Sequence, residues 1–337
     1  MNATLPGQTS KGARRRGPVL FAALVALVLV AAIAGIEIAR RPGPGPAALG
    51  PNSSARDRAP APFPRELRDA SGETLRIPAR PQRIVSQTLG TDEILLAICA
   101  PERIVALSVF ALDPRYSNIA AEARPLNLET VEGPEQILRL NPDLIFVASY
   151  SRAEVVDLLR ASRAPVFRFA NFDTIEDIKQ NIRTVGYATG DDERAEAVVA
   201  EMEREIAAVR ARIPSGSKPL RVMSYGPSGN TAGAGTLFDD IVRTVGAINV
   251  TAEQGLGGFP TISAEQVAAW QPDFIVAGAD TNRFDETRRR LLSDPAIAAS
   301  RAGRAGRLIL IDNRYFLTVS QHVVKAIRAL ADGLYGT

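Results

Sequence analysis

The sequence predicts an α/β protein of two lobes, each a parallel sheet flanked by helices, and three observations lead there. From residue 83 onward, short apolar runs alternate with amphipathic stretches, as βαβ units require. One helix-turn-strand segment occurs twice, 130 residues apart. Between the two copies lies an unusually long helical stretch.

In the first half, residues 83–86, 104–108, 144–149 and 165–169 read as strands. Their nearly unbroken apolar character suits strands covered on both faces. Residues 91–99, 134–140 and 152–161 read as the helices between them. Residues 174–188 and 191–213 are then strongly helical. In the second of these, Val199, Met202, Ile206, Val209 and Ile213 recur at steps of three and four and make one apolar stripe. Asp191 with Arg194 and Glu201 with Arg204 add i,i+3 ion pairs. At ~1.5 Å per residue this stretch reaches about 34 Å, enough to bridge two domains. Alternation resumes with strands at 221–225, 274–279 and 307–312. Helices are expected at 236–245, 264–270, 285–292 and 320–334.

The repeat pairs residues 134–148, PEQILRLNPDLIFVA, with 264–278, AEQVAAWQPDFIVAG. Each copy opens a short helix with Glu-Gln, turns at Pro-Asp and enters a buried strand. A match over a whole helix-turn-strand unit points to two lobes of related architecture, with Glu135 and Glu265 as equivalent surface residues.

The N-terminus is an address. Residues 17–36 hold 20 uncharged, mostly apolar side chains, preceded by Lys11, Arg14, Arg15 and Arg16. As a helix they would span one bilayer core of ~30 Å, with the basic flank on the cytoplasmic side. The length exceeds the ~7–15 residues usual for a signal-peptide apolar region and favours an anchor. A signal peptide cut near Ala32-Ile33-Ala34 is the alternative. Residues 40–64 hold seven Pro and three Gly in 25 positions, the composition of a semi-extended spacer. The expected organisation is a basic cytoplasmic segment at 1–16, the anchor or signal helix at 17–39 and a linker at 40–64. An N-terminal lobe at 65–173, a connecting helical segment at 174–213 and a C-terminal lobe at 214–337 follow. The body is therefore expected on the periplasmic or extracellular face, anchored or released after cleavage.

Composition removes several function classes. The chain has 337 residues, 46% hydrophobic and 23% charged, which excludes general disorder. A net charge of +3 is too small to suggest a nucleic-acid partner. Its single cysteine, Cys99, excludes an internal disulfide, and its single histidine, His322, excludes a multi-imidazole metal site. Cys99 falls in the apolar stripe of helix 91–99, and His322 falls beside Val323, Ile327 and Leu330, so both are expected to pack. The sequence has no Gly-x-Ser-x-Gly elbow and no Gly-Lys-Ser/Thr phosphate loop. Gly233 and Gly235 precede a helix but lack the third glycine of a dinucleotide fingerprint, so they are expected to shape a turn. No catalysis, cofactor or metal site is expected.

Several segments in order carry a family resemblance: PQRIVS at 81–86, TDEILLA at 91–97, PERIVALS at 101–108, EQILRLNPDLI at 135–145 and ISAEQV at 262–267. In this order, with the long central helix, the chain resembles the solute-binding proteins of ABC importers for iron complexes and cobalamin, from about Phe63 to the C-terminus. The resemblance implies two Rossmann-like lobes joined by the long helix, a ligand in the cleft between them, and a monomer working with permease subunits. In that class one Glu on each lobe docks onto the permease, and Glu135 and Glu265 match. The helix dipole favours a carboxylate at both places.

Cleft candidates on loops at the C-terminal ends of strands are Phe110, Tyr116, Tyr150, Tyr225, Phe259, Arg314, Tyr315 and Phe316. Aromatics suit a large amphipathic chelate, and an Arg suits a carboxylate or catecholate anion. The implied ligand is a metal chelate: a ferric siderophore, haem or a corrinoid. Tyr150 and Phe259 fall near slots where cobalamin-binding members place tryptophans, and a third such slot holds Glu129. The alternative reading is a membrane-tethered sensor using the same cleft.

Overall fold

The structure is a computed structural model that describes residues 62–162, 165–214, 216, 218–226 and 228–336. The apolar run at 17–36 and the linker up to residue 61 lie outside the described residues. Among the described residues no helix is long and apolar enough to cross a membrane.

The described chain opens with an antiparallel hairpin of β1 (Arg65–Arg68) and β2 (Thr74–Ile77). The apolar pattern gave no sign of it, because its anchor is an arginine. Arg65 is only 2% exposed. It donates to the Tyr187 carbonyl at 2.6 Å and pairs with Asp192 at 2.8 Å. Its guanidinium also lies 4.8 Å from the ring centres of both Phe63 and Tyr187.

Two parallel sheets follow. The first contains β3 (Ile84–Ser86), β4 (Ile104–Ser108), β5 (Glu129–Val131), β6 (Leu144–Ala148) and β7 (Val166–Phe169), in the order β5-β4-β3-β6-β7. The second contains β8 (Arg221–Ser224), β9 (Ile248–Asn249), β10 (Phe274–Ala279) and β11 (Leu308–Asp312), in the order β11-β10-β8-β9. In each sheet the first strand is central, with the next strand on one side and a later strand on the other. Strand order therefore reverses beside β3 and beside β8, the crevices where open α/β sheets hold ligands.

The helices of six residues or more are α1 (Leu89–Ile98), α2 (Pro134–Arg139), α3 (Ala153–Ala161), α4 (Ile175–Thr189), α5 (Asp192–Arg212), α6 (Leu237–Thr244), α7 (Ala264–Trp270), α8 (Phe284–Leu292) and α9 (Val323–Tyr335). Helix α1 starts before the expected Thr91 because Thr88 caps it, its hydroxyl accepting the Thr91 N–H. His322 stands at the N-terminus of α9 rather than within it.

The repeated segment is the same structure twice. After α2 and α7 the chain turns through a left-handed residue, Asn141 (φ 45°) and Gln271 (φ 48°). The Asp of each Pro-Asp then caps the start of the central strand. Asp143 accepts the Gln82 and Arg83 N–H groups at 2.7 and 2.8 Å, and Asp273 accepts that of Arg221 at 3.0 Å. Arg83 in turn donates to the Leu140 carbonyl at 2.6 Å, and Arg221 to the Trp270 carbonyl at 2.7 Å.

Helix α5 bridges the halves. At its start, the buried Asp191 pairs with Arg103 at 2.7 Å and with Arg80 at 2.6 Å, both from the first half. At its end, Arg210 donates to the Thr244 carbonyl at 3.3 Å and Arg212 pairs with Asp332 at 2.6 Å. Between these ties, Val199, Met202, Ile206 and Val209 of the stripe read from the sequence are buried, and Ala195 joins them. Ile213 is half-buried at the C-cap. Cys99 is buried as expected, but its thiol is not inert packing: it donates to Asp191 at 3.3 Å. Burial, with the Asp191 charge beside it, pushes the thiol up to about 12.

Candidate functional site

The C-terminal end of β3 runs into a buried hydroxyl network. Ser86 Oγ and Thr88 Oγ1 lie 2.6 and 2.7 Å from Thr91 Oγ1. Beneath them Asp92, fully buried, accepts the Ser108 N–H at 3.1 Å and the Ser108 hydroxyl at 2.5 Å. Desolvation raises the Asp92 carboxyl to about 7, against the pull of those hydrogen bonds.

Tyr150 follows β6, so it stands where the strand order of the first sheet reverses. Its ring is 38% exposed and packs on Phe172 with centroids 5.6 Å apart. Its hydroxyl end is desolvated and close to Asp92, which pushes the phenol up to about 12 against the lowering pull of its bond with Thr88. Tyr150 is therefore a neutral ring at working pH, with an open face and a fixed hydroxyl.

The other sequence-predicted residues divide. Phe110 and Tyr116 are half-buried in the loop after β4, with the Arg115 guanidinium 5.4 Å from the Tyr116 ring centre. Arg314, Tyr315 and Phe316 form one turn of helix directly after β11. Arg314 grips Asp312, with Nη2 at 2.6 Å from Oδ2, so part of its anion-binding capacity is spent within the chain. Tyr315 lies under Lys325 Nζ at 5.0 Å, and Phe316 packs edge-on against Phe238 at 6.1 Å. Phe259 is half-buried against the main core.

Tyr225 needs correction. It is 8% exposed, belongs to a separate apolar cluster and donates its hydroxyl to Asp294 at 3.3 Å. The reason is strand alternation: Ser224 faces the Ala232 side, so the next side chain points to the opposite face. Gly233 and Gly235 do shape the turn before α6: a Cβ on Gly233 would fall 2.2 Å from the Leu256 carbonyl oxygen, and Gly235 has φ +71°. Glu129, on β5, pairs with Arg139 at 3.1 Å.

Two further residues, not among the sequence candidates, stand exposed at these strand ends. Four large apolar side chains are well exposed among the described residues: Val109, Tyr150, Leu158 and Leu317. Three of these, Val109, Tyr150 and Leu317, stand on loops leaving the C-terminal ends of β4, β6 and β11. Aliphatic residues give no local signal of ligand contact, so sequence reading passed over Val109 and Leu317.

These loops also meet across the halves. The Asn118 side-chain amide donates to the Arg314 carbonyl at 2.7 Å. Arg115 is held above its ordinary range by Asp113, with Asp280 at the end of β10 adding to it.

Glu135 and Glu265 occupy the first turns of α2 and α7, both exposed. In each helix the neighbouring Gln does the capping. Gln136 Oε1 accepts the Glu132 N–H at 3.0 Å, and Gln266 Oε1 accepts the Ser263 N–H at 2.8 Å. The glutamates are thus left facing outward. Bonds from the Ser263 hydroxyl and the helix backbone hold the Glu265 carboxyl below its usual range.

A groove of about 750 Å³ along α4 and α5 lies apart from these strand ends, and its Lys179 is already held by Glu176 and Glu203. Among the described residues no group of three or more His, Cys, Asp or Glu could hold a metal ion.

Comparison with known proteins agrees with this geometry. A family model described as a periplasmic binding protein matches residues 84–315. The chain belongs to the periplasmic binding protein family. This binding protein is 25% identical over 283 residues to a cobalamin-binding protein of Halobacterium salinarum, covering 82% of this chain and 75% of the relative. It is also 25% identical over 282 residues to the iron(3+)-hydroxamate-binding protein FhuD of Bacillus subtilis, covering 77% and 80% of the two chains. Among solved structures, the apo periplasmic heme-binding protein RhuT of Roseiflexus sp. RS-1 matches with TM-score 0.65 and 28% identity, over 76% of this chain and 98% of that one. The periplasmic binding protein fold thus accounts for the two parallel sheets and their flanking helices.

Proposed function

We propose that this chain is the extracytoplasmic receptor of an ABC importer, taking a metal chelate at the loops that close the C-terminal ends of the two sheets. The observation that carries this is the placement of Val109, Tyr150 and Leu317: exposed apolar side chains concentrated where the strands end. A neutral aromatic face with aliphatic neighbours suits the hydrophobic body of a haem, corrinoid or hydroxamate complex. The half-buried Arg314 and the exposed Arg115 suit its anionic edge. Relatives named as binding cobalamin, ferric hydroxamate and haem support a metal chelate, although one of similar identity is named as binding molybdate. Phe110, Tyr116, Phe259, Tyr315 and Phe316 are the flanking contacts in this reading, and the buried Tyr225 is excluded.

Delivery would run through Glu135 and Glu265, exposed carboxylates at equivalent places in the two repeats, which suit arginines on a permease. The apolar run at 17–36 would hold the receptor at the membrane.

Titration of the full-length protein with haemin, cyanocobalamin and a ferric hydroxamate tests the reading, with intrinsic fluorescence and the chelate's absorbance as signals. Saturable one-to-one binding of one class is expected. Failure of all three to bind would overturn it.

A further inference from the structure

The segment after β11 brings Arg314, Tyr315, Phe316 and Leu317 to the candidate site; besides its ties to Asp280 and Asp312 in its own half, it is bonded to α1 in the first half. Glu93 lies on α1 and is 1% exposed. Its Oε1 accepts the Asn118 backbone N–H at 2.9 Å and the Asn118 side-chain amide at 3.0 Å. Its Oε2 accepts the Thr318 hydroxyl at 2.9 Å and the Ser320 hydroxyl. Its backbone carbonyl takes the Gln321 side-chain amide at 2.8 Å. Asn118 uses the same side-chain nitrogen to reach the Arg314 carbonyl at 2.7 Å, so it joins the carboxylate to the ligand-facing turn.

One carboxylate therefore gathers four neutral donors from two distant segments. Thr318 and Ser320 are 225 and 227 positions away along the chain. Burial pushes the Glu93 carboxyl above its usual range, and the four donors pull against that. The approach is close: a Cβ on Gly90 would stand 2.7 Å from Val319 Cγ2.

We propose that Glu93 is a positioning residue: it locks residues 313–317 onto the first half of the molecule and so sets the spacing of the binding site before ligand arrives. The ligand part of this rests on the reading of the strand-end loops as the binding site. The lock itself does not. Leu317 directly precedes Thr318, and Arg314 is held through Asn118, so both ends of the turn depend on Glu93.

The test combines hydrogen–deuterium exchange and chelate titration on full-length protein. Glu93→Gln keeps the volume but replaces one acceptor oxygen with an amide donor. Thr318→Val removes one donor at nearly constant shape and is the milder variant should Glu93→Gln fold poorly. Both are expected to raise exchange at residues 314–321 about tenfold, while protection of α5 stays at the wild-type level. Glu93→Gln is expected to weaken the bound chelate about tenfold, although Glu93 does not touch it. Unchanged exchange at 314–321 in both variants overturns the lock. Faster exchange with unchanged affinity overturns the positioning role. Absence of chelate binding by the wild-type protein counts against the function proposed above, and exchange then decides the lock alone.

Discussion

Tyr150 and Asp92 share one buried hydroxyl network, but burial acts on them with different consequences. With its phenol pushed up to about 12, Tyr150 offers a ring and a neutral hydroxyl rather than an anionic oxygen. Tyr150→Phe should therefore leave chelate affinity within a few-fold, and Tyr150→Ala should weaken it tenfold or more. Aromatic burial is worth far more than one neutral hydrogen bond. A large loss in the Phe variant, seen in the same titration, would assign the hydroxyl a direct role. Asp92 bears on stability. Its carboxyl moves from 3.8 to about 7 on folding, so within that window the folded chain binds more protons than the unfolded one. Stability from this group is full at low pH and falls as pH rises through the window. Asp92→Asn mimics the protonated form. Its melting temperature should match wild type below pH 3.8 and exceed it progressively as pH rises to about 7, with the gap constant above that; parallel pH profiles for the two proteins across this window would refute the assignment.

At the scale of elements, the repeated Glu-Gln separates two jobs that look alike in sequence. Gln136 and Gln266 close the helix N-termini, whereas Glu135 and Glu265 make no long-range bond among the described residues. Gln266→Ala should cost about 1 kcal/mol in denaturant unfolding, the usual worth of a cap, with uptake intact. Glu135→Ala with Glu265→Ala should abolish uptake while stability and ligand affinity stay at wild type. A loss of affinity in the double variant would place these residues in the binding site instead. These helices were legible because a cap, a periodic apolar face and a Pro-Asp turn are all local signals. The β1–β2 hairpin was not, since RELR and TLRI carry as much charge as apolar character and the anchor is the buried Arg65. Strands β5 and β9 have only three and two residues, too short for any period to show. Glu93 was illegible for a related reason. An acid early in a helix reads as an ordinary dipole partner, and its donors lie up to 227 residues away.

At the scale of the whole molecule, the alternation and the repeat revealed two lobes, but not how fully they share a core. A single buried cluster contains Ile84, Leu107 and Phe146 from the first sheet, Val222, Val276 and Ile309 from the second, and Ile178, Val199 and Ile206 from the helices between. Helix α5 is thus a shared wall rather than a linker, pinned at one end by Arg103 and Arg80 and at the other by Thr244 and Asp332. Independent lobes would melt separately. A shared wall cannot lose one side without exposing apolar surface on the other, so the described body should unfold in one calorimetric transition, with van't Hoff and calorimetric enthalpies equal. Val209, near the far end of α5 and 3% exposed, provides the sharper test. Val209→Ala should lower the whole transition by about 1–3 kcal/mol through lost burial and a residual cavity. It should not split that transition into two. Two resolved transitions in the wild type, or a variant in which only part of the enthalpy moves, would mean that the halves fold apart. The same shared wall and the Glu93 bonds both resist lobe separation, so ligand capture in this protein should proceed with small backbone movement and depend on loops already in place.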